Sequence, residues 1–323
     1  ASDVYKRQQP GLLGSLNEFG AKFRRPIENK EQQDAFALNE LRTLIEPQLL
    51  RRTKQDVAKD LPAKIEDAAC KTLPMSRLQV RLYRSEVGLY HDQRAMQEHL
   101  GEQSAAMLGL LHKLKMICAH PHALRPEGEA DEVSPKLRWT MEKLKAIQAH
   151  GEKAIIFTEL RDIQRALQFA ILDAFGFMAT IINGDTNSSS ERGPSRQNLI
   201  DAYQEAPGFG VIILSTTAVG FGVNVQAANH VIHFTRPWNP AKEDQATDRA
   251  YRIGQQRDVY VYYPTVVGDG MVSFEQTLDL LLSRKRALAT DMLNGTGDIE
   301  INEFAAYLTP TSSLPHKEPQ HEL

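Results

Sequence analysis

From Lys136 onward the chain alternates between two periods. Segments with apolar residues three and four apart, KLRWTMEKLKAIQAH (136–150), RDIQRALQFAILDAF (161–175) and a stretch from about Ser195 to Gln204, predict helices. Between and after them stand short β-rich runs: AIIFTE (154–159), FMATIIN (177–183), VIILST (211–216), NHVIHF (229–234) and VYVYY (259–263). These runs are continuously apolar rather than alternating, so they need cover on both faces. The prediction is an α/β fold, with a parallel sheet covered by helices on both faces.

The first part of the chain reads differently. Residues 76–118 carry Leu, Val, Tyr and Met at helical spacing and predict two long helices whose Met and Leu stripe is core. ALRPEGEADEVSP (123–135) is a polar, acidic, Pro-bounded linker. SFEQTLDLLLSRKRALATDML (273–293) predicts an amphipathic helix packing back onto the preceding lobe, with disorder after about Pro310. Residues 1–9 carry no apolar period and no initiator Met and are read as a remnant outside the fold. The expected division is 10–122, 123–135, 136–270, 271–309 and a tail of 310–323.

Composition narrows the function classes. In 323 residues, 41% hydrophobic and 24% charged content reads as a soluble protein with a proper core. No apolar run approaches bilayer length, so no membrane partner and a cytoplasmic location are expected. Cys70 and Cys118 form no C-x-x-C pair, and Cys118 with His120 is read as a helix end packed by a buried thiol, not as a metal site. A net charge of −3 excludes bulk attraction to nucleic acid. Any such contact must be local, the candidates being Arg51, Arg52 and Lys54, then Arg192 and Arg196, then Arg284, Lys285 and Arg286.

The strongest chemistry lies in RPWNPAKEDQATDRAYRIGQQRDVYVYY (236–263). Gln245, Arg249 and Arg252 at i, i+4 and i+7 would share one helical face, and two permanently charged forked donors suit phosphate oxygens. Upstream, Ser215 and Thr216 end a buried strand, and Gly220 and Gly222 would let backbone approach a phosphate or ribose, with Asn224 in reach of sugar hydroxyls. Thr158 ends another strand, at an edge where open α/β sheets bind ligands. Asp131-Glu132-Val133-Ser134 sits in an acidic loop and not at the end of a buried strand, so it is not read as a magnesium site. No G-x-x-x-x-G-K-[ST] occurs, nor any GK dipeptide.

WNP, QA, DR, A and YRIGQ within residues 238–255 resemble motif VI of the Swi/Snf-type DNA translocases of helicase superfamily two. Residues 154–167 resemble motif IV, and 211–234 resemble motif V, with Val219 and Phe221 departing from the family pattern. Gly184, Thr186, Arg196, Gln197, Ile200 and Tyr203 match the element between them. Pro47, Leu50, Arg51, Arg52, Thr53, Lys54, Val57, Leu61, Pro62 and Lys64 resemble the element closing the family's first lobe.

The resemblance runs from residue 10 to 293 and begins after motif III. It implies a RecA-like C-terminal lobe, preceded by a helical segment from the end of the first lobe. It implies Arg249 and Arg252 as arginine fingers, with Gln245, Gly220, Gly222 and Asn224 at the nucleotide. Thr158, Gly184, Arg196, Ser215, Thr216 and Trp238 would serve double-stranded DNA. Trp238 is equally open to a packing role. ATP would be the nucleotide, with Mg2+ held by the absent N-terminal RecA-like lobe, so the chain alone should not hydrolyse ATP. The alternative is a non-enzymatic DNA- or protein-binding module that regulates a separate motor.

Overall fold

The computed structural model describes residues 11–28, 35–48, 61–96, 100–121, 134–186, 194–216, 224–289, 299–305 and 307–308. The expected remnant, most of the linker, the terminal tail, Arg51, Arg52, Lys54, Arg192, Gly220 and Gly222 lie outside these residues. Contacts divide the chain into two units, 1–59 with 287–295, and 60–286 with 296–323.

In the first unit, helices α1 (Leu16–Phe19), α2 (Arg25–Glu28) and α3 (Ala35–Ile45) enclose a small core of Phe23, Leu41 and Ile45. Ser15 starts α1 with a reciprocal capping box: its hydroxyl accepts from Glu18 N–H, while Glu18 Oε2 accepts from Ser15 N–H at 2.8 Å.

The second unit is built on a six-stranded sheet in the order β1-β7-β6-β3-β5-β4, with every neighbour parallel. The strands are β1 (Lys64–Asp67), β3 (Lys153–Phe157), β4 (Thr180–Ile182), β5 (Gly210–Leu214), β6 (His230–His233) and β7 (Val259–Tyr262). A separate parallel pair joins β2 (Leu73–Pro74) to β8 (Val266–Val267). All five expected strands are present, and the sheet is covered on both faces.

Alternation explains the two cores. Ile155, Phe157, Ile212, Leu214 and Val231 point to a face covered by α8 (Arg196–Glu205) and α9 (Pro240–Thr247) through Ile200, Tyr203 and Ala246. Ala154, Ile156, Val211, Ile213 and Ile232 point the other way, onto α6 (Pro135–Ala149) and α7 (Arg161–Phe175) through Leu144, Ile147, Ile163 and Leu167.

The helix pair α4 (Arg77–Met96) and α5 (Leu100–Ala119) shares a third core with α10 (Phe274–Ala289) and α11 (Ile301–Ala305). The predicted tail helix thus packs on this pair through Leu278, Leu281 and Leu282. Buried Gln79 ties α4 to the end of α5, its amide donating to Ile117 O at 2.8 Å and Cys118 O at 3.2 Å. Cys118 is fully buried there, and burial pushes its thiol well above the ordinary range. β1 is a strand of the main sheet that the sequence pattern does not announce: KIED is polar and lies at the sheet edge.

Candidate nucleotide and nucleic-acid edge

Helix α9 starts firmly. Asn239 Oδ1 accepts from Ala241 N–H at 2.9 Å and Pro240 takes the first helical position, where no N–H is needed. It stops earlier than its sequence suggests. The spacing of Gln245, Arg249 and Arg252 predicts one helical face, but the helix ends at Thr247 and the two arginines occupy the turns that follow. Tertiary bonds outcompete the helical ladder: Arg249 O accepts from Val225 N–H at 2.9 Å, and Ala250 O accepts from the Gln255 side chain at 3.1 Å. Only Gln245 remains on the helix, where it is exposed.

The turns still bring three candidates together. The Arg252 guanidinium donates to Asn224 Oδ1. Arg249 is held below the usual guanidinium range, first by burial and then by the like charge of Arg252, so the two cations share one locality.

Gln255 is the buried hinge-pin of this loop. Its Nε2 donates to Gln226 O at 3.0 Å and to Ala228 O and Ala250 O at 3.1 Å. Its Oε1 accepts from the N–H groups of Gln256 at 2.9 Å and Arg257 at 3.1 Å. Gln226 in turn donates to Ile253 O at 2.7 Å. Gly254 sits at φ +101°, a conformation that other residues rarely adopt, and reverses the chain between Arg252 and Gln255.

Beneath α9 lies a buried ionic footing. Glu243, fully buried, accepts from Arg236 Nε at 2.6 Å and Nη2 at 2.9 Å, and also from Arg286. The Arg236 guanidinium lies 4.4 Å from the Tyr263 ring centroid. His233 stacks between Phe157 and Tyr263, with centroids at 5.3 and 5.1 Å, and its Nε2 lies 2.8 Å from Thr247 Oγ1. Thr247 Oγ1 itself donates to Glu243 O, which makes the imidazole the donor at Nε2 and leaves Nδ1 buried without a partner.

A second group of candidates meets where β3, β5 and β6 end. Thr235 Oγ1 donates to Thr158 Oγ1 at 2.9 Å, Ser215 Oγ donates to Glu159 Oε2 at 2.7 Å, and Thr216 N–H donates to Glu159 Oε1 at 2.8 Å. Gly184 is exposed in the loop after β4, and Arg196 Nε reaches that loop by donating to Thr186 O at 3.0 Å. Trp238 takes the packing role left open for it: its indole lies 5.1 Å from Phe304 and 6.1 Å from Phe274, half-buried in the third core.

Sequence reasoning singled out neither Glu159, Gln255, Glu243 nor His233. The first two fall inside the stretches that resemble motifs IV and VI but were given no role of their own, and their roles arise only where strand ends and turns converge. Among the described residues, no group of three or more His, Cys, Asp or Glu could hold a metal ion. No helix among them is long and apolar enough to cross a membrane.

Two family descriptions match. Residues 8–123 match the SNF2-related domain, and residues 136–254 match the helicase conserved C-terminal domain. The chain is 59% identical over 301 residues to the Zorya protein ZorD of Escherichia coli O139:H28, covering 93% of this chain and 28% of that protein. It is 35% identical over 290 residues to the putative ATP-dependent helicase/translocase YwqA of Bacillus subtilis, covering 88% of this chain and 30% of that protein. The chain therefore spans under a third of the length of these relatives. Among solved structures, the Sulfolobus solfataricus SWI2/SNF2 ATPase core in complex with dsDNA superposes with a TM-score of 0.57 at 34% identity, covering 90% of this chain and 58% of that one.

Proposed function

Because this chain belongs to the Swi/Snf-type family of superfamily-two ATPase cores, we propose that it is the C-terminal half of an ATP-dependent double-stranded DNA translocase. In this reading Arg249 and Arg252 reach across to the γ-phosphate of an ATP held by an N-terminal lobe. The strand-end hydroxyls of Thr158, Ser215 and Thr216 face the DNA backbone. The observation that carries the proposal is the loop after α9: two neighbouring guanidiniums, one oriented by Asn224, on a turn fixed by a buried amide.

The chemistry asked of these residues is electrostatic. Phosphoryl transfer needs positioned positive charge at the equatorial and leaving oxygens, and guanidinium supplies it without a proton equilibrium near neutral pH. Asn224 fixes the direction of Arg252, so less side-chain freedom is lost when a phosphate arrives. The residues present fit an anionic phosphate. The magnesium that accompanies ATP belongs, in this reading, to the other lobe. The 59% identity to ZorD supports placing the intact protein among Zorya proteins, and the dsDNA-bound Sulfolobus core supports duplex DNA as its track.

The test is Arg252→Ala in the intact protein. DNA-stimulated ATP hydrolysis should fall by roughly three orders of magnitude or more, the scale of an arginine finger, while nucleotide binding persists. Near-normal turnover would refute the role. A parallel assay of this chain alone should show no hydrolysis, and activity there would mean that the chain carries its own phosphate-binding loop.

A further inference from the structure

Three donors from the residues that follow β5 converge on one carboxylate, which follows the neighbouring strand β3. In the β3–β5 register Phe157 pairs with Leu214, so Thr158-Glu159 and Ser215-Thr216 leave the sheet side by side at its carboxyl edge. Ser215 Oγ donates to Glu159 Oε2 at 2.7 Å, Thr216 N–H donates to Oε1 at 2.8 Å, and the Thr216 hydroxyl donates to the same Oε1. Both carboxylate oxygens are thereby engaged by two hydroxyls and a backbone amide. Burial pushes the Lys115 ammonium on α5 down to about 8 and the charge of Glu159 opposes that shift, so an anion at this spot also favours a buried cation.

A phosphodiester offers the same donors the same thing: two oxygens sharing one negative charge, acceptors only. Hydroxyls and backbone N–H groups at strand ends are ordinary phosphate ligands, and this set already holds a negative group.

We infer that Ser215 and Thr216 form a backbone-phosphate cradle that Glu159 closes, so that DNA must displace this carboxylate to seat. This deepens the translocase reading above and rests on its assignment of this edge to DNA. Glu159 is a competitor, not a ligand. Seating a phosphate breaks the bonds to Glu159, rehydrates the carboxylate and leaves it beside a like charge. Each step opposes binding, so the carboxylate sets the affinity of the edge and delays its engagement until other DNA contacts have formed.

The expectation runs against the usual one for a residue in a binding site. Duplex binding by the intact protein is measured by fluorescence anisotropy at two salt concentrations for wild type, Glu159→Gln and Glu159→Ala, with thermal unfolding to verify the fold. Glu159→Ala should bind duplex tighter by about three- to thirtyfold, which is roughly 0.7 to 2 kcal/mol. Glu159→Gln should gain less, because its amide oxygen still accepts one of the hydroxyls. The gain should vanish when Ser215→Ala and Thr216→Val are added to Glu159→Ala.

Unchanged or weaker binding by folded Glu159→Ala would overturn the cradle, showing that the carboxylate merely braces the turn after β5. A gain that survives loss of the hydroxyls would overturn it as well, reducing Glu159 to general repulsion. A wild-type protein that does not bind duplex at all would overturn both this inference and the reading it rests on.

Discussion

Replacing Gln255 by Leu nearly preserves volume while deleting two N–H donors and one acceptor from the turn that carries Arg249 and Arg252. Five bonds disappear: those to the carbonyls of Gln226, Ala228 and Ala250, and those from the N–H groups of Gln256 and Arg257. The bonds to Ala228 and Ala250 are buried, so those carbonyls cannot exchange one partner for water, and stranding each costs about 1–2 kcal/mol. The other three lie on half-exposed ground where water can substitute at a few tenths of a kcal/mol each. The sum is about 3–5 kcal/mol, a large share of the 5–15 kcal/mol typical of a domain. Urea unfolding followed by far-UV circular dichroism should show a lower midpoint at an unchanged m-value. In the proposed motor, ATP turnover should fall further than the loss of folded protein explains, because the direction of Arg252 would depend on this turn. A destabilisation below about 1 kcal/mol with full turnover would refute the reasoning, leaving Gly254 and the Val225–Arg249 backbone bond sufficient to shape the loop.

The ionic footing and the stacked imidazole give two more expectations. Glu243→Ala leaves Arg236 and Arg286 facing each other without their shared carboxylate, and should cost about 3–5 kcal/mol in chemical unfolding. Burial pushes the Glu243 carboxyl up, but the charge and hydrogen bonds of Arg236 outweigh it and hold the pKa down to about 2. Its contribution is therefore fully present above the unfolded value near 4.3 and lost as pH falls through about 2, which acid titration of unfolding free energy would reveal as a step absent from the variant. Burial pushes the His233 imidazole down to about 4. The unfolded chain binds that proton near pH 6.5 and the folded chain does not, so stability should drop by about 3 kcal/mol as pH falls from 6.5 to 4. His233→Phe, which keeps the stack on Phe157 and Tyr263, should flatten that slope, and an unchanged slope would sink the assignment. A shallower slope should remain from His230, which burial also lowers, against the opposing bond from Glu152.

The sheet was legible because its strands are buried on both faces. AIIF, VIIL and HVIH are short, β-rich and uninterrupted, and no exposed helix or hairpin tolerates that pattern. β1 was illegible for the opposite reason: KIED lies at an edge, needs no apolar face, and exists as a strand because β7 offers it partners far along the chain. The end of α9 was misread because QATDRAYR is permissive for helix, and propensity yields to the bonds that Val225 and Gln255 make with the backbone of Arg249 and Ala250. The site divides along the same line. Asn224, Arg249 and Arg252 were singled out because their side-chain chemistry suits a nucleotide, whereas Glu159 and Gln255, though inside similar stretches, acquire their roles from neighbours that no local spacing encodes.

The pairing of β1 also sets an order of events during synthesis. Ala63 N–H bonds to Asp258 Oδ1 at 2.8 Å, across a separation of 195 residues. At roughly 5–20 residues per second, the partner strand emerges about 10–40 s after β1 does. The first strand of the sheet to be made is thus the last to be paired. Lys64, Glu66 and Asp67 spread three charges over its four residues, and a charged strand that waits so long in the open is poorly suited to pairing with another nascent chain.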